Sequence, residues 1–174
     1  MALEPVVLDT DTLSELSRGN KVVKARAVVY LAEFGRLTIT AVTVFERLRG
    51  YRAAIRAGKP FERQLQAFEA LIANCVVLPL DVDAAAVAAD IWSASTPSQR
   101  QKLGDILIAA VAVSRQIPLA TRNRRDFQSL TRASGTNLRL VDWTMVQRPE
   151  GRTLEPLGPA HATSSPRRPR TRSR

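Results

Sequence analysis

From Ile106 to Val113 every residue is apolar, and the residue that opens this run is Asp105. A helix apolar on all sides must be covered on all sides, so this one has to run through the middle of a domain. The aspartate at its start gains roughly 0.3–1 kcal/mol from the positive end of the helix dipole. Otherwise a carboxylate beside an apolar run is costly unless a cation or hydrogen-bond donors reach it. The same juxtaposition recurs at Val6-Val7-Leu8-Asp9-Thr10-Asp11, at Thr43-Val44-Phe45-Glu46 and at Thr121-Arg122-Asn123-Arg124-Arg125-Asp126-Phe127.

Around these patterns, short aliphatic runs alternate with helical ones. Strands are expected at Val6–Leu8, Leu37–Thr40, Cys75–Leu78, Leu119–Thr121 and Leu138–Val141. Helices are expected at Thr12–Leu16, Val22–Phe34, Thr43–Ala57, Phe61–Ile72, Asp83–Ser95 and through the buried run, with a helical turn at Asp126–Leu130. Gly35 reads as a C-terminal cap. Thr43 and Glu46 read as a capping box. Thr96–Lys102 is polar and holds Pro97, which predicts an exposed loop. The alternation argues for an α/β chain, a three-layer α/β/α sandwich around a central, mostly parallel sheet. In such sheets the functional crevice lies at the carboxyl ends of the strands, where Asp9 and Thr121–Asp126 fall.

The 174 residues suit one domain. Residues 1–148 are expected to form it. Residues 149–174 form a basic Pro/Ser/Arg-rich tail with no periodicity, expected to be disordered. The formal charge is +10, of which the segment beyond Glu150 carries six arginines against Glu155 alone. A basic chain favours polyanionic partners, because neutralised phosphates release counterions. No apolar run approaches the roughly 20 residues of a membrane span. No basic segment precedes an apolar stretch at the N-terminus, so a signal peptide is not expected. Cys75 is the only cysteine, which excludes an internal disulfide and a cysteine-based zinc site. A cytoplasmic chain is the expectation.

Each acid has an ordinary reading: Asp105 and Asp9 as helix caps, Glu46 as a capping-box partner, Asp126 as the start of a helical turn. Convergence at one sheet rim changes that. Carboxylates meeting there would repel each other and raise at least one pKa unless a cation intervenes. Oxygen ligands with water suit a hard ion, Mg²⁺ or Mn²⁺. His161, the only histidine, lies in the tail, so base chemistry would fall to a carboxylate or to water activated by a metal.

The four patterns, in this order and at about this spacing, resemble the PIN-domain ribonucleases, above all the VapC-type toxins of toxin–antitoxin pairs. The resemblance spans roughly Val6 to Val141. Its most specific parts are Leu8-Asp9-Thr10-Asp11-Thr12-Leu13-Ser14-Glu15-Leu16, Asp105-Ile106-Leu107-Ile108-Ala109-Ala110 and Ala120-Thr121 to Phe127. It implies a PIN-like sandwich and Mg²⁺-dependent endoribonuclease activity, with Mn²⁺ as a substitute, leaving 3′-hydroxyl and 5′-phosphate ends. Asp9 and Asp105 would be the metal ligands, Glu46 and Asp126 would complete the acidic pocket, and Thr121 and Asn123 would hold carboxylates or phosphate. Asp11 departs from the family, which commonly has Asn or Ser there. It either adds an acid to the rim or caps the following helix, and the cap is the favoured reading.

The resemblance further implies an RNA substrate, an antitoxin whose arginine enters the acidic pocket, and a homodimer built on helices after the second strand. Arg122, Arg124 and Arg125 are candidate phosphate contacts, as are Arg47, Arg49 and Arg52; a solvated surface is the alternative for all six. Trp92 and Trp143 are read as packing residues rather than base-stacking ones, and Cys75 as a small buried hydrophobe. Two other functions are open. A haloacid-dehalogenase-type phosphatase would use Asp9 as nucleophile, but lacks a second acid after Asp105 and leaves Glu46 and Asp126 idle. A non-enzymatic basic nucleic-acid-binding module would use the acids only as caps. Neither a Gly-x-Gly-x-x-Gly turn nor a Walker loop is present.

Overall fold

A computed structural model of the chain describes residues 4–145. The expected tail, with His161 and its arginines, lies outside the described residues. Within them, five strands form one sheet: β1 (Val7–Leu8), β2 (Leu37–Thr40), β3 (Cys75–Leu78), β4 (Leu119–Ala120) and β5 (Leu140–Val141). Their order is β3-β2-β1-β4-β5 and every pair is parallel, so the sheet is wholly rather than mostly parallel. Between them run α1 (Thr10–Ser17), α2 (Lys21–Phe34), α3 (Ala41–Arg56), α4 (Glu62–Ala73), α5 (Val82–Ala94), α6 (Pro97–Arg100), α7 (Leu103–Ser114) and α8 (Arg124–Ser134).

Alternation along β1 divides the core into two halves, because successive side chains leave a strand on opposite faces. Val6 and Leu8 point toward Leu13, Val23, Ala27, Tyr30 and Phe68, under α1, α2 and α4. Val7 points the other way, toward Ile91, Ile106, Ile108, Phe127 and Leu130, under α5, α7 and α8. Helix α7 is the centre of this second half: Ile106, Ile108, Ala109, Ala110, Val111 and Ala112 are all buried, as the apolar run requires. Trp143 is buried against Tyr30, with ring centroids 5.6 Å apart. Trp92 stays exposed beneath the Arg100 guanidinium.

Three local expectations are corrected. Helix α3 starts two residues early, at Ala41, with the Thr40 hydroxyl accepting from the Thr43 N–H at 3.0 Å. Glu46 therefore sits in the second turn and takes no part in a capping box. The segment expected as a loop contains α6, closed by a capping box between Thr96 and Gln99. Helix α8 extends well past the single turn expected, to Ser134, because Phe127, Leu130 and Thr131 bury one face of it.

The site side of the molecule follows from this order. Strands β2, β1 and β4 are neighbours at the middle of the sheet, and each ends in a residue that opens a helix or turn: Thr40, Asp9 and Thr121. The Asp9 N–H donates to Ala120 O at 3.0 Å and the Thr121 N–H to Val141 O at 3.0 Å, which ties these ends into one rim.

Candidate active site

Asp9 is 4% exposed. It is the N-cap of α1, accepting the Thr10 N–H at 2.7 Å on one oxygen and the Thr121 hydroxyl at 2.8 Å on the other. Burial, then the neighbouring Asp11 and to a smaller degree Asp105, push its pKa up to about 7 against these two stabilising bonds. The cap reading of Asp9 and its place at the rim are therefore both true. Asp11 is not the cap: it lies inside the first turn of α1, and its carboxylate accepts the Arg122 N–H at 3.2 Å. It adds a further acid to the rim and holds the loop after β4 in place.

Thr121 joins two parts of that loop. Its buried hydroxyl donates to Asp9 and accepts the Asn123 N–H at 3.0 Å. Asn123 then donates through Nδ2 to Asp126 at 2.9 Å. Asp126 also receives the Lys102 ammonium, and these bonds, Lys102 first, hold its pKa below the usual carboxylate range.

Asp105 has no hydrogen-bond partner among the described residues and is half-buried in the first turn of α7. Burial is the largest cause raising its pKa to about 6; Glu46 adds to it, Lys102 opposes it, and Asp126 and Asp11 contribute smaller repulsions. Asp105 is thus within electrostatic reach of Glu46, Asp126 and Asp11. Glu46 accepts the Thr10 hydroxyl at 2.7 Å and lies against Gly104. A Cβ at Gly104 would stand 1.9 Å from Glu46 Oε1, so only glycine lets this carboxylate reach the start of α7.

The arginines divide. Arg122 turns its guanidinium toward Glu15, at 3.4 Å, and away from the acids. Arg124 and Arg125 are exposed at the start of α8. Arg47 is no phosphate contact: it folds onto Tyr51 and Phe68 and donates to Ser14 Oγ at 2.8 Å, while its buried Nε has no partner among the described residues. Thr10, Lys102 and Gly104 escaped the sequence reading. A glycine directly before the key aspartate was the one available signal for Gly104; Thr10 and Lys102 carried none.

Among the described residues, no three His, Cys, Asp or Glu side chains form a ready-made metal cage. A magnesium-type site needs no such cage. Mg²⁺ is usually held by one or two carboxylates, with water and phosphate oxygens filling its other positions. Two half-buried or buried carboxylates of raised pKa, with no imidazole or thiolate beside them among the described residues, fit that ion.

The family model of the PIN domain matches residues 6–133. The chain belongs to the PIN-domain family. Solved structures agree on the fold. The DNA-bound VapBC of Salmonella typhimurium is 23% identical, with 81% of this chain and 99% of that one covered, at a TM-score of 0.62. VapBC-1 of nontypeable Haemophilus influenzae is 23% identical, covering 82% and 100%, at 0.61. The VapBC2 of Rickettsia felis, bound to a promoter DNA fragment, is 16% identical, covering 80% and 99%, at 0.59. A search of curated proteins gives no match. No helix among the described residues of this PIN domain is long and apolar enough to cross a membrane.

Proposed function

We propose that this PIN domain is a metal-dependent endoribonuclease, the toxin of a toxin–antitoxin pair of the VapC type. The observation that supports the reading is that Asp9, at the end of β1, and Asp105, in the first turn of α7, are both raised in pKa, with Asp105 contributing to the rise at Asp9. Carboxylates so held are short of positive charge, which a divalent ion would supply while drawing an RNA phosphate toward them. When bound, Mg²⁺ or Mn²⁺ would act as a Lewis acid on the phosphate and acidify water.

The residues have separate tasks. Asp9 and Asp105 would hold the ion. Thr121 and the Thr10 N–H fix Asp9 so that its free lone pairs face the rim. Glu46, steadied by the Thr10 hydroxyl, would complete the acidic pocket, partly through water. Asp126 and Asn123 complete the pocket, with Lys102 as the cation nearest to them. Arg124 and Arg125 remain available for phosphates flanking the scissile bond. The phosphatase alternative is less well supported: no second acid follows Asp105 in Ile106 to Ala109, and Glu46 and Asp126 would have no task.

Partners follow from the same reading. One similar solved structure is a toxin–antitoxin complex from Klebsiella pneumoniae, and an antitoxin arginine suits a pocket of this charge. A homodimer is part of the proposal, and light scattering on the purified chain tests it.

The decisive experiment is incubation of pooled cellular RNA with the full chain, with Mg²⁺ or with chelator. Cleavage that needs the ion, leaves 5′-phosphate ends and disappears in Asp9→Asn and Asp105→Asn is the expected result. Cleavage surviving in either variant contradicts the assignment.

A further inference from the structure

Arg47 is a cation whose chemistry the acidic pocket leaves unexplained. Its side chain is half-buried, forms no ion pair among the described residues and keeps a buried Nε without a partner there. Burying a guanidinium in this way is costly, and a methionine would fill the space between Ser14, Tyr51 and Phe68 without that cost. What only the arginine supplies is a planar set of directed donors.

Those donors lead to the acids through one residue. Nη2 donates to the Tyr51 hydroxyl at 2.6 Å, and the guanidinium lies 5.1 and 5.4 Å from the Tyr51 and Phe68 ring centroids, which anchors it on the side of α4. Nη1 donates to Ser14 Oγ at 2.8 Å. The Ser14 hydroxyl in turn donates to the Thr10 carbonyl at 2.7 Å, so its single proton points to Thr10 and its lone pairs face Arg47. Thr10 touches both carboxylates: its N–H donates to Asp9 at 2.7 Å and its hydroxyl to Glu46 at 2.7 Å. Glu46 and Arg47 are consecutive on α3, while Thr10 and Ser14 stand one turn apart on one face of α1. Adjacent residues of α3 therefore grip stacked residues of α1. One such contact would let the helices pivot about it; the pair fixes their register.

We propose that Arg47 is a positioning residue for the reaction: anchored by Tyr51, it acts through Ser14 and Thr10 to keep the Glu46 carboxylate at a set place relative to Asp9. The proposal rests on the nuclease reading, and gives Arg47 a part in cleavage without contact to RNA or metal. A misplacement of about 1 Å costs an active site on the order of a hundredfold in rate, so a clamp acting from outside the pocket is felt within it.

The test is a double-mutant cycle in the full chain. Ser14→Ala and Arg47→Met, each alone and combined with Thr10→Val, are assayed for kcat and KM on an RNA that the wild type cleaves in Mg²⁺. Each alone should lower kcat by about tenfold, the scale of one hydrogen bond to a charged group, with KM changed by less than about twofold. In the Thr10→Val chain each should cost less than about twofold more, because the hydroxyl through which they act is already gone. Arg47→Lys, which keeps a charged donor, should recover part of the loss. Equal losses in both backgrounds, matched by a fall in Tm, would make the cluster a packing device only and overturn the proposal, as would full kcat in Ser14→Ala. That variant removes a single hydroxyl, so it decides the matter where Arg47→Met fails to fold. Hydrogen exchange reads the clamp without RNA: in both variants the amides of α1 should exchange about tenfold faster, with α5 unchanged. Unchanged exchange in α1 would overturn the clamp while wild-type cleavage stands. Faster exchange in a chain whose wild type cleaves no RNA would support the clamp and count against the nuclease reading alone.

Discussion

Replacing Asp105 by Asn should make the metal-free protein more stable. Asp105 forms no hydrogen bond among the described residues, so the nearly isosteric amide sacrifices none there. What it removes is a carboxylate ionised at unfavourable cost, with pKa raised from 3.8 to about 6. At about 1.4 kcal/mol for each tenfold change, full ionisation costs the folded chain ~3 kcal/mol relative to the unfolded one. The group is only half-buried, so solvent screening brings this to ~1–2 kcal/mol. The folded chain holds this proton more tightly than the unfolded chain. Wild type therefore loses stability as pH rises from about 4 to about 6, and the loss is complete above that range. Urea denaturation in chelator at about pH 7.5 should show Asp105→Asn ahead by ~1–2 kcal/mol, a rise of a few degrees in Tm. The gap should shrink toward zero near pH 4. Saturating Mg²⁺ should reverse the order, since an ion at 100 times its Kd adds about 2.7 kcal/mol to the wild type. A variant no more stable than wild type in chelator at neutral pH, or a gap that persists undiminished in acid, would refute this electrostatic reasoning.

Three further outcomes are expected. Gly104→Ala should displace the Glu46 carboxylate and cut RNA cleavage by about tenfold or more, while the melting temperature moves little, because the displaced group is the end of a flexible side chain. Thr121→Val removes the donor to Asp9 and the acceptor for the Asn123 N–H, so urea denaturation should show a loss of ~1–3 kcal/mol together with weakened cleavage. Lys102→Ala frees Asp126 and removes a cation beside Asp105; half-maximal cleavage should need less Mg²⁺, by a factor below about five.

Much of this was legible in the residues. The unbroken apolar run forced α7 into the core, the short runs Leu37–Thr40 and Cys75–Leu78, rich in aliphatic and β-branched residues, became β2 and β3 unchanged, and Gly35 adopts the left-handed cap. The acids were legible because each interrupts an apolar pattern. Less visible were features that depend on contact between distant segments. Thr10 and Glu46 lie 36 residues apart, and nothing local in either marks their hydrogen bond. Arg47 looked like a surface cation, yet packing of α3 on α4 turns it onto two aromatic rings. Asp11 was read as a cap because helix starts are blurred by a residue or two in sequence; moving the start to Thr10 passed the cap to Asp9. Lys102 sat in a stretch read as a loop, and its role appears only once α6 and α7 bring it over Asp126.

The claim on which the rest depends is that Asp9 and Asp105 jointly hold a divalent ion. Crystals soaked in Mn²⁺ and measured at the manganese absorption edge test it directly. An anomalous peak on the order of 2.2 Å from a carboxylate oxygen of each residue, absent from crystals of Asp105→Asn, is the predicted result. A saturated soak with no peak between those two carboxylates would contradict it.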